Sequence, residues 1–213
     1  MLFPTINLLG IGFAFGLFHA CEADHMVAVG ALVSETKNVK RSSWLGVLWG
    51  LGHIATILGV GSALLIARYA FPPRLTTFFE FLVGVMLIVL GAGVVRRAVR
   101  DYAHGHSHHN DAHAHRSGRR SFIVGMVHGL AGTGALVVLA LASAPSLALG
   151  WLFIAVFGGG LITGMLIITA ALSAPFHFFS LRWERLRTII PMLAGTLSIV
   201  FGVSIVFANI STF

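Results

Sequence analysis

The sequence predicts an all-α membrane protein, with six transmembrane helices forming two inverted three-helix repeats and both termini outside. Three observations carry this expectation. Hydrophobic residues make up 57% of the 213-residue chain and charged residues 10%, against about 25% charged in an average chain. Six apolar stretches each approach the ~20 residues needed to cross a hydrocarbon core. The basic residues gather in alternate connections.

The stretches run over Ile6–Val33, Trp44–Ala67, Phe78–Val95, Phe122–Leu141, Leu147–Leu172 and Ile189–Ala208. They are continuous rather than alternating, and too long for barrel strands, which argues against a β-barrel. Met1 to Asn7 hold no Lys or Arg, unlike the basic start of a secretory signal, so this end reads as the start of the first span. The first–second link carries Lys37, Lys40 and Arg41. The third–fourth link carries Arg96, Arg97, Arg100, Arg116, Arg119 and Arg120, and the fifth–sixth carries Arg182, Arg185 and Arg187. Of the 14 basic residues only Arg68 and Arg74 fall elsewhere. The positive-inside rule places the basic links in the cytoplasm. The net charge of +7 is then a topology signal and a contact for anionic lipid, and calls for no nucleic acid. The single cysteine, Cys21, leaves no internal disulfide or thiol redox pair.

Weak self-similarity runs through the chain. Gly16-Leu17-Phe18-His19 matches Gly125-Met126-Val127-His128. Trp44-Leu45 matches Trp151-Leu152, and Thr56 matches Thr163. Gly84, Ile88, Val89 and Gly91 match Gly195, Ile199, Val200 and Gly202. An odd number of spans per copy makes the second copy enter the membrane from the opposite side. Many secondary transporters are built so, with substrate near the midplane between halves. The expected division is 1–99 for the first repeat, 100–120 for a His-rich cytoplasmic loop and 121–213 for the second repeat. The loop holds His104, His106, His108, His109, His113 and His115. Such tracts are compositional metal-binding signals, and this one is expected to be an auxiliary metal-binding loop or, at its plainest, a polar linker.

The densest chemistry is His19-Ala20-Cys21-Glu22-Ala23-Asp24-His25, flanked on both sides by uncharged apolar residues. Ionisable groups at bilayer depth cost several kcal/mol (roughly 2.5–3.5 each on insertion scales) and mark functional sites by default. Imidazole and carboxylate together suit nickel, cobalt, zinc or iron, whereas magnesium and calcium prefer all-oxygen sites. The candidate metal ligands are His19, Asp24 and His25, with His53 from the second span and, more weakly, His128 from the fourth. Glu22 is a ligand or a partner that orients one. On an ideal helix Asp24 lies about 140° from His19. Either the helix unwinds there, or Asp24 acts on the other ring nitrogen of a ligating His. A hydrogen-bond network that only ties helices together and a proton relay are the competing readings. Cys21 reads as a small buried filler.

His19-x-x-x-x-Asp24-His25 resembles the signature of the nickel/cobalt transporter superfamily (NiCoT or NicO). Gly50-Leu51-Gly52-His53 resembles that superfamily's Leu-Gly-His-Ser signature, with Ile54 in place of the Ser. Gly125-Met126-Val127-His128-Gly129-Leu130-Ala131-Gly132-Thr133, with Phe157-Gly158 and Gly164-Met165, is similar to the UreH-like, urease-accessory branch. The resemblance implies transport of nickel or cobalt across a prokaryotic cytoplasmic membrane and no enzyme activity. It implies Ni2+ or Co2+ as cargo rather than a permanent cofactor. The partners it implies are the lipid bilayer, the metal ion and a metallochaperone or nickel-enzyme maturation protein. It assigns metal recognition to His19, Asp24 and His25, and less firmly to His53. The His-rich loop resembles those of the superfamily's exporters, whereas the UreH-like features point to nickel supply, so direction stays open. The chain contains no G-x-x-x-x-G-K-[ST] phosphate loop. The alternatives are a membrane metal sensor or chaperone working through the His-rich loop, and a zinc or cobalt exporter.

Overall fold

The computed structural model describes residues 2–34, 36, 38–67, 72–104, 112–143, 146–182 and 186–210. Regular structure among them is helical throughout. The elements are α1 (Leu2–His19), α2 (Ala23–Val33), α3 (Val39–Thr56), α4 (Ser62–Ala67), α5 (Pro73–His104), α6 (Ala112–Ser143), α7 (Leu147–Arg182) and α8 (Leu186–Ile210). A π-helical segment, Ile57–Gly61, joins α3 to α4 without a break in the chain's helical path. Among the described residues, Val39–Leu64, Pro73–Ala103, Leu147–Phe176 and Thr188–Ile210 are each long and apolar enough to cross a membrane. Ile6–His19 and Ala23–Val33 pass together as one broken span. The chain is an integral, multi-pass, all-α membrane protein. The expected fourth stretch, Phe122–Leu141, lies within α6, and the side chains of residues 134–135 and 137–143 lie outside the described set.

The first span is broken, the unwinding that the helical angles had left open as one alternative, and its two parts meet at 55°. The N–H groups of Cys21 and Glu22 bond back to the carbonyls of Phe18 and His19 at 2.9 and 3.1 Å, a tightened last turn that ends α1. Glu22 is then extended (φ −62°, ψ 148°) and precedes α2, whose first turn contains Asp24. Acidic groups are favoured at a helix start by the partial positive charge of its free N–H groups. Part of the expected 100–120 loop is helical. Residues 100–104 continue α5 and residues 112–120 open α6. Alanine and arginine are good helix formers, and a helix nucleated in the apolar segment propagates into them readily. His104, His113 and His115 are thus helical, while His106, His108 and His109 lie outside the described residues.

The bundle is held by pairs of helices distant in sequence: α1 with α7, α3 with α6, α5 with α8, and α3 with α7. Lipid tails are as apolar as leucine, so close packing and interhelical hydrogen bonds must drive association here. Glycine supplies the closeness. A Cβ on Gly16 would collide with the carbonyl oxygen of Phe157, and one on Gly160 with that of Phe13. A Cβ on Gly125 would meet the carbonyl of Trp49, and one on Gly52 that of Phe122. Gly84 and Gly202 face each other across α5 and α8, as do Gly91 and Gly195. Two buried serines add hydrogen bonds between helices. Ser121 Oγ donates to the carbonyl of Leu45 at 2.6 Å, and Ser198 Oγ to that of Leu87 at 2.9 Å.

Candidate functional site

The break between α1 and α2 aims two imidazoles inward that a straight helix would have turned apart. His19 closes α1 and His25 lies in the first turns of α2. Their ring centres are 4.6 Å apart. His53 arrives from α3 with its ring centre 5.4 Å from each of them. His128 of α6 lies 5.0 Å from His25, centre to centre. Glycine allows both arrivals, since Gly52 packs on the α6 backbone and Gly125 and Gly129 pack on α3 around His53.

Both carboxylates hold rings rather than pointing alone into the cluster. Glu22 Oε1 lies 2.6 Å from His19 Nδ1, and Asp24 Oδ1 lies 2.8 Å from His25 Nδ1. A carboxylate accepts, so each ring's proton belongs on Nδ1 and each Nε2 presents a lone pair. His128 reaches the same state by another route. Its Nδ1 donates to the Val124 carbonyl at 3.3 Å, and its Nε2 faces Asp24 Oδ2 at 3.8 Å. The Nε2 atoms of His19, His25 and His128 and both ring nitrogens of His53 are buried and have no hydrogen-bond partner among the described residues. Buried polar atoms are nearly always bonded, and each exception calls for an explanation such as an ion.

The geometry sorts the candidate ligands into two sets. In one, ligand atoms of His19, His25 and His53 all lie within 4.8 Å of one another. In the other the same holds for Asp24, His25 and His128. His25 belongs to both. Imidazole nitrogens without donors, with an adjacent carboxylate, form a donor set for a divalent transition metal. The two Nδ1–carboxylate contacts have the arrangement by which outer groups orient ligating histidines.

Gly132 of α6 closes one side. A Cβ there would sit 3.6 Å from His19 Nε2 and 3.7 Å from His53 Nε2, so a larger side chain would enter the space between those nitrogens. Trp49, fully buried, lies against three of the histidines. Its ring centre is 4.7 Å from His25, 5.1 Å from His53 and 5.1 Å from His128. Phe157 takes a similar place beside His19 at 5.5 Å. Sequence reasoning missed Trp49. The available signal was its position one turn before His53, which puts both on one helix face. Cys21 corrects a further expectation, for it is exposed at the break rather than a buried filler. Glu22 is half-exposed, at 53%.

The chain is 33% identical over 205 residues to the urease accessory protein UreH of Bacillus sp. (strain TB-90), a match covering 93% of this chain and 90% of that one. The chain belongs to the UreH family. Its named relative is an accessory protein of urease, a non-enzyme role. This UreH-family chain is also 28% identical, over 163 residues, to the chloroplast protein FOR GROWTH AND FERTILITY 2 of Arabidopsis thaliana. That match covers 72% of this chain and 44% of the plant protein. No family model and no solved structure matches it. The UreH-like expectation rested on glycine-rich motifs in α6 and α7. Those segments supply the backbone surfaces on which α1 and α3 pack.

Proposed function

We propose that this UreH-family protein moves a divalent transition-metal ion across the membrane, nickel first and cobalt second, through the cluster of His19, Asp24, His25, His53 and His128. One observation carries the reading: the buried imidazole nitrogens without hydrogen-bond partners among the described residues. Unsatisfied buried acceptors are costly, and a cation is the species that satisfies several lone pairs at once. A network serving only to tie helices would have paired those nitrogens with donors. In this reading His19, His25 and His53 hold the ion in one position, and Asp24, His25 and His128 hold it in a second. His25 stays bound during the transfer, so the ion never sheds all its ligands in the low-dielectric interior. Glu22 orients His19. The urease link of the relative points to delivery of nickel toward an enzyme that needs it, with a maturation protein as receiver. The site of action is the cytoplasmic membrane of a prokaryote.

The proposed architecture is six spans in two inverted repeats, residues 1–99 and 121–213, with both termini outside and the His-rich segment facing the cytoplasm. It is supported by how the close contacts correspond. Gly16 against Phe157 becomes Gly125 against Trp49, and Gly160 against Phe13 becomes Gly52 against Phe122, when positions in the first span advance by 109 and those in the second by 108. The Ser121–Leu45 bond then corresponds to Gly12 beside Phe153. The Ser198–Leu87 bond joins two equivalent positions, 111 residues apart. The Trp44–Trp151 and Thr56–Thr163 matches imply 107 for the second span. The contacts favour 108, under which Trp49 corresponds to Phe157, while the first span's 109 matches His19 with His128.

The test is radioactive nickel flux in proteoliposomes of known orientation, with cobalt and zinc as competitors. Wild-type flux that His25→Ala abolishes is expected. Flux unchanged by both His25→Ala and Asp24→Ala would exclude this site as the path.

A further inference from the structure

We infer that Trp49 is the positioning residue for His53, holding that imidazole by its flat indole face where the other three histidines are held by hydrogen bonds. Trp49 has this role only if the cluster holds an ion, as proposed above.

His53 differs from its neighbours in what orients it. His19 has Glu22 at its Nδ1, His25 has Asp24, and His128 has the Val124 carbonyl. Such contacts fix both the angle and the tautomer of a ligating ring. Both nitrogens of His53 are buried without a hydrogen-bond partner among the described residues. The outer torsion of a histidine side chain is broad, so this ring needs a wall to set its angle. Trp49 supplies one. The two ring planes are 29° apart with centres at 5.1 Å, an offset stack. The same indole meets His25 at 64° and His128 at 55°, so of the three only His53 lies along its face.

The backbone supports this stack. Trp49 and His53 are one turn apart and share a face of α3. The carbonyl of Trp49 packs on Gly125 and that of His53 on Gly129, so α6 fixes both ends of the pair. A Cβ on Gly132 would lie 3.6 Å from His19 Nε2 and 3.7 Å from His53 Nε2. The stack therefore aims His53 Nε2 at the space it shares with His19. The ring rather than the indole N–H is the working part. A buried indole N–H usually finds a partner, and Trp49 Nε1 has none among the described residues. A phenyl ring should then serve as well. Phe157, which corresponds to Trp49 at the offset of 108, lies 5.5 Å from His19, centre to centre.

The test is equilibrium dialysis of nickel with the purified full chain, beside the visible spectrum of bound cobalt, whose bands follow its coordination geometry. Trp49→Leu is expected to lower nickel affinity about ten-fold, the low end for losing a group that orients a ligand, and to give the cobalt spectrum of His53→Ala. Trp49→Phe is expected to keep the wild-type affinity and spectrum. A double-mutant cycle shows whether Trp49 acts through His53. Adding Trp49→Leu to His53→Ala should cost nothing further, whereas adding it to His128→Ala should cost as much as in the wild type. If Trp49→Leu does not fold, Trp49→Met takes its place, larger and equally without a flat ring. Weakened binding in His53→Ala with none in Trp49→Leu, a Trp49→Phe variant as weak as Trp49→Leu, or losses that add in the His53 cycle would each overturn this role for Trp49 alone. A His53→Ala variant that binds nickel as the wild type does would overturn the place of His53 in the metal site as well.

Discussion

Asp24 Oδ1 takes two hydrogen bonds from His25, one from the ring Nδ1 at 2.8 Å and one from the backbone N–H at 2.9 Å. The carboxylate is locked to its neighbour's ring, while its other oxygen faces His128 Nε2 at 3.8 Å. In the proposed site, one side chain would thus orient His25 in the shared position and offer an oxygen to the second set. Asp24→Asn keeps the size and removes the charge. It is expected to lower nickel affinity about 10- to 100-fold, the usual cost of losing a group that orients a ligand. Equilibrium dialysis of the purified protein checks this, and an unchanged affinity would refute it.

The two ligand sets predict separable defects. His128→Ala leaves His19, His25 and His53 in place, so binding of one ion should survive while flux collapses. His25→Ala removes the member common to both sets and should abolish both. Paired dialysis and flux measurements distinguish these outcomes. Equal loss of binding in the two variants would mean that the sets act as one site.

Gly132 offers a graded test. A methyl group there would meet His19 and His53 at ordinary contact distance, so Gly132→Ala should keep most flux. Gly132→Leu pushes atoms between the two nitrogens and should stop metal binding while the helices stay assembled. A Leu variant that binds nickel normally would show that α6 does not close this side of the site.

Gly16 and Gly125 have no comparable room, since a Cβ at either would overlap a backbone carbonyl of α7 or α3. Alanine at each should destabilise the bundle by about 1–3 kcal/mol, the usual range for overpacking. Thermal unfolding in detergent checks this, with Gly10→Ala as control, because a Cβ there meets nothing within 4 Å.

Replacing His104, His106, His108, His109, His113 and His115 by Asn should lower the number of metal ions bound per chain and leave flux through the cluster. Every proposed ligand comes from α1, α2, α3 or α6 beyond residue 120. Loss of flux with intact binding at the cluster would give the His-rich segment a role in transport itself.

The cluster was legible because polar residues in apolar flanks announce themselves. His19, Asp24, His25 and His53 were singled out by their chemistry and His128 by its match to His19, and the structure brings these side chains together. The membrane class was equally plain from apolar length. The break at Ala20–Glu22 was only half legible. Helical angles showed that His19 and Asp24 could not share a face, but not whether the chain or the assignment would give way. Trp49 was missed because its one signal, a place one turn before His53, means little in an apolar helix until the neighbours of both are placed. The lengths of α5 and α6 were underread because hydropathy marks where a helix lies in lipid, not where it ends in water.

The seams between α1 and α7 and between α3 and α6 also bear on how the chain is made. Synthesis runs from the N-terminus at ~5–20 residues per second, so α1 emerges many seconds before the helix it packs against. When α1 and α2 are first made, His19, Glu22, Asp24 and His25 have none of His53, His128 or the α7 backbone around them. The bend after His19 leaves the polar residues at the junction of two short helical arms, where they can stay near the aqueous surface until the later spans arrive. The same bend that brings the imidazoles together in the finished protein therefore eases the insertion of a segment that, drawn straight, the bilayer would resist.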